Sequence, residues 1–534
     1  MPSVLLVLFL QLWAPTWAAG NQDFVQCVHD HYSSKTSTAP SISKLIYTPG
    51  DASYTSVLQS TIMNPRFNDT STIHKPLAIF IPQFDSHVQA AVLCCRKHEL
   101  RLRIRSGGHD FEGLSYLSVS PSNDDFVMID LTKLRAVHDV NPETRTAWVQ
   151  SGATLGELYY AISQKSRVLA FPAGFWPTVG VGGHFSGGGS GALSRKFGLA
   201  ADNVIDARLI DAEGKVLDRA SMGEDLFWAI RGGGGNTFGV VTAWKINLLP
   251  VPPSVTVFNL TRAVEESATE LVHRWQYAAD KLPEDVSSFL VSLSSKMASF
   301  QGLYLGEIKT LLPLFEEKFP ELGLSEGDCS EMSWIDSVLY FLGSESVETL
   351  LRRTGEPARK VKSKSDFVQE PLPEDAVDGI WRILAEVGPE EGVLQLEAHG
   401  GKMSEVPEFS IPYPHRAGNV YMIQYYAYWD GNGVETEERH LDWIRRLEGY
   451  LAPFVSQGPR GAYVNARDLD LGMNGDAAAG RAWSCEQGSD WGRRYYKGNF
   501  ERLVRVKTDV DPANFFRNEQ SIPPFFLGSR HVGE

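Results

Sequence analysis

The sequence predicts an α+β protein in two parts: a cofactor-type domain split along the chain, and a substrate domain of antiparallel sheet covered by helices. Three observations point there. At 534 residues the chain is longer than one ordinary hydrophobic core supports. Up to about residue 250, short apolar strand-like runs alternate with helix-like ones around two glycine-dense turns. After the cluster Pro250 to Pro253 the pattern changes to charged helices alternating with aromatic strands, and the prolines read as a linker. Hydrophobic content of 43% with 11% aromatics belongs to a globular chain. A formal net charge of −15 argues against nucleic acid, whose phosphates need a basic face.

The first twenty residues form an apolar run too short to span a membrane comfortably, closing on small residues. Residues 1–19 therefore read as a secretory signal cleaved near Ala18 or Ala19, which predicts an exported chain with no membrane span. Five cysteines fit an oxidising compartment with one bridge. Cys329 and Cys485 are expected to be buried thiols. Asn68-Asp-Thr and Asn259-Leu-Thr are acceptor triplets for N-glycans.

Next come strand and turn in His74 to Gln83, and a helix over Asp85 to Leu100 with Asp85 and Ser86 as its caps. The alternating run Leu100 to Ile104 leads into Arg105-Ser-Gly-Gly-His109-Asp-Phe-Glu-Gly-Leu-Ser115-Tyr116. Gly107 and Gly108 let the backbone turn sharply and bring N–H groups to an anionic ligand. Arg105 offers a planar donor fork for phosphate oxygens. His109 leaves the turn with an imidazole that can act as base, ligand or nucleophile. Phe126 to Leu134 reads as a strand, and Thr146 to Gln164 as strand, tight turn and helix.

A second glycine-dense stretch runs from Phe171 to Gly191. It lacks the dinucleotide fingerprint, because Phe185 stands where a third glycine is needed after Gly180 and Gly182. It also lacks a hydrolase elbow, because Gly188 and Ser190 are followed by Ala192. Ala201 to Asp218 reads as a hairpin, and Asp225 to Pro250 as a helix entering four glycines and then a strand. Beyond the linker, Ala263 to Leu282 and Pro373 to Glu391 read as charged helices, and Asn419 to Gly431 as an aromatic strand. No repeat, zinc motif or calcium loop is present, so no metal is expected.

The Arg105–Tyr116 segment resembles the flavin-attachment segment of the berberine bridge enzyme-like family, in the vanillyl-alcohol oxidase superfamily. The resemblance runs from about Phe24 to Pro523-Pro524. It implies a two-part FAD-binding domain (residues 20–252, rejoined by 463–534) and a substrate domain (253–462). It implies FAD bonded through its 8α position to His109. The cofactor would be held by Arg105, Ser106, Gly107, Gly108, His109, Asp110 and Ser115, by Gly174, Trp176, Thr178, Val179, Gly180, Gly183, His184, Gly187, Gly188 and Gly191, and by Val241 and Asn518.

The resemblance also places the family disulfide at Cys27 and Cys94, with Cys95 an adjacent competitor. Trp176 stands where bicovalent members carry a cysteine, which implies a single flavin bond and an indole packed near the dimethylbenzene edge. Val179 matches the position that gates oxygen, and valine there goes with oxidases. The family's base tyrosine is Ala466 here, and two further tyrosines are Phe111 and Ser190. Gln424 occupies the position of a catalytic glutamate, with Tyr421 and Tyr463 as further catalytic candidates. The implied activity is oxidation of a small alcohol, phenol, alkaloid or carbohydrate, with molecular oxygen as acceptor, in a secreted monomer. The alternative is a flavin protein with lost or changed redox chemistry, a pericyclic catalyst or a binding protein.

Overall fold

The computed structural model describes residues 17–33, 42–68, 74–119, 125–354, 359–474 and 485–525. The expected signal segment lies outside these residues except for its last three, which open the helix Trp17–Ser33.

The first glycine turn hangs from a small mixed sheet. Its strands are β1 (Ile46–Tyr47), β2 (Ala78–Phe80), β3 (Arg101–Arg105) and β4 (Phe126–Asp130), in the order β1-β2-β4-β3. β2, β4 and β3 run parallel, and β1 is antiparallel to β2. Parallel strands of one sheet need a crossover, and the helix Asp85–Lys97 supplies it between β2 and β3, which flank β4. Phe84, not Asp85, is the residue before that helix, and no side chain caps it. Asp85 reaches Arg208 instead, at 3.2 Å. Cys27 and Cys94 form the disulfide, with Cα atoms 5.8 Å apart, and Cys95 is a buried thiol.

An antiparallel sheet follows: β5 (Val137–Asn141), β6 (Thr146–Gln150), β8 (Val204–Ile210), β9 (Val216–Leu217) and β10 (Val240–Asn247), in the order β5-β6-β10-β8-β9. β8 and β9 form the expected hairpin. β7 (Leu169–Ala170) pairs with β11 (Leu249–Pro250), so Pro250 ends a short strand and the connection to the next sheet is only 251–254.

The third sheet draws all its strands from residues 255–429. They are β12 (Val255–Ala263), β13 (Val286–Leu293), β14 (Met297–Tyr304), β15 (Cys329–Met332), β16 (Lys360–Val368), β17 (Gly392–Ala398) and β18 (Tyr421–Trp429), in the order β15-β12-β14-β13-β17-β18-β16. Every recorded pairing is antiparallel. Side chains alternate between faces along each strand. Leu394, Leu396, Ile423 and Tyr425 pack on the helices Ala268–Ala278, Glu374–Leu384 and Val434–Leu451 through Trp275, Ile380, Trp443 and Leu447. The charged run at 373–391 is thus amphipathic, burying Ala376, Val377, Ile380, Trp381 and Leu384.

The chain then returns. Helices Cys485–Tyr496 and Asn499–Val510 place Trp491, Tyr495, Phe500 and Leu503 in the core that holds Phe227 and Trp228. Cys329 and Cys485 are half-buried rather than buried, because each opens an element near the surface. Among the described residues no helix is long and apolar enough to cross a membrane.

Candidate active site

Both glycine segments, β10, the open face of the large sheet and the returning C-terminal segment meet around one cavity of about 340 Å³. Its floor is made by two backbones in contact. A Cβ on Gly107 would lie 2.3 Å from the Gly180 nitrogen, and one on Gly180 would lie 2.1 Å from Ser106 Oγ. Gly108 adopts φ +72°, with the Thr61 carbonyl against it, so no other residue fits there without strain. Ser106 donates to the Ser151 carbonyl at 2.5 Å, which ties the turn to the end of β6.

His109 follows this turn. Its Nε2 is 2.8 Å from Thr178 Oγ1, and burial lowers the imidazole pKa to about 4 despite the Thr178 hydrogen bond. The ring is therefore neutral at ordinary pH. Asp110 uses Oδ1 to accept from the N–H groups of Glu112 and Leu114, and its Oδ2 faces Arg467 Nε at 3.4 Å.

Ser106, Gly107, Gly108, His109, Asp110, Ser115, Val179, Gly180, Gly183, His184, Val241, Asn518, Gln424 and Tyr463 all line the cavity. His184 accepts the Gly174 N–H at Nε2 (3.1 Å), and burial lowers its pKa to about 4. Asn518 Oδ1 accepts from the Gln520 N–H at 2.9 Å. Tyr463 Oη accepts from the Gly189 and Ser190 N–H groups, both at 3.1 Å, and burial raises its pKa to about 12.

Other expected residues stand elsewhere. Arg105 does not point into the cavity: its fully buried guanidinium is spent on Asp130 (2.6 Å) and on the carbonyls of Leu58 and Val57. Arg467, also a lining residue, brings a cation to the cavity. Tyr421 projects from the other face of β18, where its hydroxyl donates to Gln276 at 2.6 Å among the helices. Trp176 is 59% exposed and is not among the lining residues. Thr178 acts through His109. Gly174, Gly187, Gly188 and Gly191 are close-packed turns: a Cβ would meet Asn465 Oδ1 at 1.9 Å from Gly187 and the Ala173 carbonyl at 1.9 Å from Gly191.

One carboxylate of the cavity belongs to none of the sequence motifs. Glu397 lines the cavity from β17, and its Oε1 accepts from Ser190 Oγ at 2.6 Å. Burial raises its pKa to about 7, with the Ser190 hydrogen bond opposing. The alternation of β17, with Leu394 and Leu396 inward and Gln395 and Glu397 outward, was a signal that could have revealed it.

The donor set suits a large polyphosphate-bearing aromatic. The floor is backbone that tolerates no Cβ at 107 or 180. Three buried polar atoms of lining residues, Ser115 Oγ, Ser151 Oγ and Asn236 Oδ1, have no hydrogen-bond partner among the described residues. Arg467 supplies positive charge.

Comparison with known proteins agrees with this fit. A family profile described as an FAD binding domain matches residues 76–219, and one described as berberine and berberine like matches 462–523. The fold and cavity are those of an FAD-linked oxidoreductase. The chain is 51% identical over 512 residues to berberine bridge enzyme-like 18 of Arabidopsis thaliana, covering 95% of this chain and 93% of that one. It is 48% identical over 521 residues to a tetrahydroberberine oxidase of Berberis wilsoniae, covering 95% and 94%. The structure of Phl p 4, described as a grass pollen allergen with glucose dehydrogenase activity, is similar with a TM-score of 0.88 and 45% identity, covering 94% and 100%. The chain belongs to the berberine bridge enzyme-like family.

Proposed function

We propose that this protein is a secreted oxidase that carries one FAD, bonded to His109, and oxidises a small alcohol, phenol, alkaloid or carbohydrate, passing the electrons to molecular oxygen. The observation that carries the reading is the neutral, half-buried His109, oriented by Thr178 over a glycine floor. A neutral imidazole keeps the lone pair that covalent attachment needs, and the Thr178 contact at Nε2 leaves Nδ1 as the bonding nitrogen. Bound FAD supplies a two-electron acceptor. The chain's residues do the rest. The glycine floor and the orphan hydroxyls of Ser115 and Ser151 hold the cofactor's polar parts, and Arg467 offsets its negative charge. Gln424, with its amide 3.3 Å from Ser363 Oγ, orients a substrate hydroxyl without taking its proton.

Val179 lies in the cavity wall, where a valine leaves oxygen more room than isoleucine would. Trp176 offers no thiol for a second bond. Export is supported by the N-terminal apolar run, the Cys27–Cys94 bridge and the exposed glycan acceptors Asn68 and Asn259.

The test is acid precipitation of the purified protein, proteolysis and mass analysis. One FAD on the His109 peptide is the expected result, and free or missing flavin overturns the covalent reading. Anaerobic exposure to D-glucose, cellobiose, coniferyl alcohol and tetrahydroberberine should bleach the flavin with at least one of them. Admission of oxygen should then release hydrogen peroxide. A flavin that no compound of the panel reduces counts against the oxidase.

A further inference from the structure

We propose that Glu397 is the proton acceptor of the reaction and that Ser190 is its positioning residue. This rests on the reading of the cavity as an FAD-linked oxidation site.

Glu397 sits opposite Met422 in the β17–β18 register, on the same sheet face as Gln424, and all three line the cavity. The other carboxylate of the lining, Asp110, is occupied by two backbone N–H groups and Arg467. Glu397 differs. Among the described residues it forms no ion pair, and its one side-chain hydrogen bond comes from Ser190 to Oε1, which leaves Oε2 for a ligand.

The remaining groups of the cavity cannot do the same work. Gln424 is an amide. Tyr463 accepts two backbone N–H groups, and its proton is held too tightly at neutral pH for it to serve as an ionised base. His184 has its Nε2 lone pair engaged by Gly174, and His109 is committed to Thr178. Ala466 is a buried methyl. A serine at 190 is short enough to donate to Glu397 while its backbone N–H rests on Tyr463.

The step balances without another reactant. With FAD bound, the substrate carbinol would give up its C–H electron pair as hydride to the cofactor. Its O–H proton passes to Glu397 Oε2, and the carbon–oxygen bond becomes a carbonyl. Two bonds to hydrogen break and two form, one on the carboxylate and one on the cofactor that takes the hydride, while the O–H electron pair becomes the C=O π bond. The carboxyl then releases its proton to solvent.

The groups facing Glu397 leave it as the one that titrates near neutrality. The phenols of Tyr413, Tyr426 and Tyr463 are all pushed upward by burial. The imidazoles of His184 and His399 are held neutral by burial. Arg195 is bound to four backbone carbonyls and Arg416 to Asp202. A carboxyl pushed up to about 7 is half ionised where the enzyme would work, and the base form gains with rising pH.

The experiment uses the flavinylated full chain and whichever of D-glucose, cellobiose and coniferyl alcohol bleaches it. Glu397→Gln should keep its flavin content and visible spectrum. Its anaerobic flavin reduction should fall by about 100-fold or more and lose the rise with pH. Ser190→Ala removes a hydrogen bond to the charged form, so the inflection of the rate profile should move upward by about one pH unit. Infrared difference spectra of the wild type should show a carboxylic C=O band that titrates near pH 7 and is absent in Glu397→Gln. Reduction of Glu397→Gln within threefold of wild type, with an unchanged profile, overturns the proposal, as does absence of the titrating band. If no compound bleaches a flavin-loaded wild type, the oxidation reading fails first and takes this proposal with it. Loss confined to the Gln variant separates the two.

Discussion

Gly183→Ala distinguishes space needed by the cofactor from space needed by the fold. Gly183 is exposed on the short helix Val181–Ser186, and a Cβ there meets no atom of the described residues within 4 Å. Alanine also costs a helix less than glycine by about 0.5–1 kcal/mol, so the protein without cofactor should be unchanged or slightly more stable. The same methyl projects at a lining position of the cavity. If FAD lies against that backbone, the intrusion costs about 1–3 kcal/mol, which is roughly five- to 150-fold in affinity. Gly107→Ala is the contrast. Its Cβ would sit 2.3 Å from the Gly180 nitrogen, about 1.1 Å inside the 3.4 Å that an ordinary contact needs. It should therefore damage folding as well as loading. The assay is flavin absorbance per protein, beside denaturant unfolding of the flavin-free fraction. Full flavin loading of Gly183→Ala would refute the argument that cofactor backbone contact begins at the helix start.

Four further outcomes follow from named contacts. Lys364→Met should cost about 3–5 kcal/mol in urea unfolding, because the buried ammonium is bonded to Asp468, Glu448 and Asp470 at 2.7, 2.9 and 3.0 Å, and these would be left with one cation fewer. Burial opposes ionisation of Asp470, but the Arg445 hydrogen bond and the two lysines outweigh it and hold its pKa below the usual carboxylate range. The folded state then binds fewer protons, so this stability is complete above about pH 4 and is lost as pH falls further; Asp470→Asn should flatten that acid limb of the unfolding profile. Tyr463→Phe leaves the Gly189 and Ser190 N–H groups without their acceptor and should cost about 1–3 kcal/mol, read from the denaturant midpoint. Trp176→Cys removes an indole that is exposed and outside the cavity lining, so stability and flavin content should both be unchanged, checked by denaturant unfolding and flavin absorbance.

Much of the site was legible because glycine carries backbone information locally. Gly107, Gly108 and Gly180 are needed for close approach whatever else surrounds them, and His109 follows in the same turn. The errors came from partners far away in the chain. Arg105 looked free for phosphate, but parallel pairing of β3 with β4 sets it opposite Asp130, and no local pattern announces that register. Tyr421 and Gln424 lie three positions apart on one strand and so on opposite faces, a fact the alternation already contained. Glu397 escaped notice because a lone carboxylate in an apolar strand resembles a solvated edge until Ser190, 207 positions earlier, is placed beside it. The half-buried Cys329 and Cys485 show the same limit, since burial is decided by neighbours from other elements.

The cavity's walls also fix a schedule for the cell. Behind the lining Glu112 meets Lys362 across 250 positions and Lys362 and Lys364 meet Asp468, while in the wall itself Tyr463 closes on the turn at Gly189 across 274. A ribosome that has delivered both glycine segments has therefore made the floor of the cavity but none of its far wall. Capture of the flavin must wait until the last seventy or so residues have emerged and folded back. Cofactor loading is thus a late checkpoint, and chains truncated before Tyr463 should be colourless.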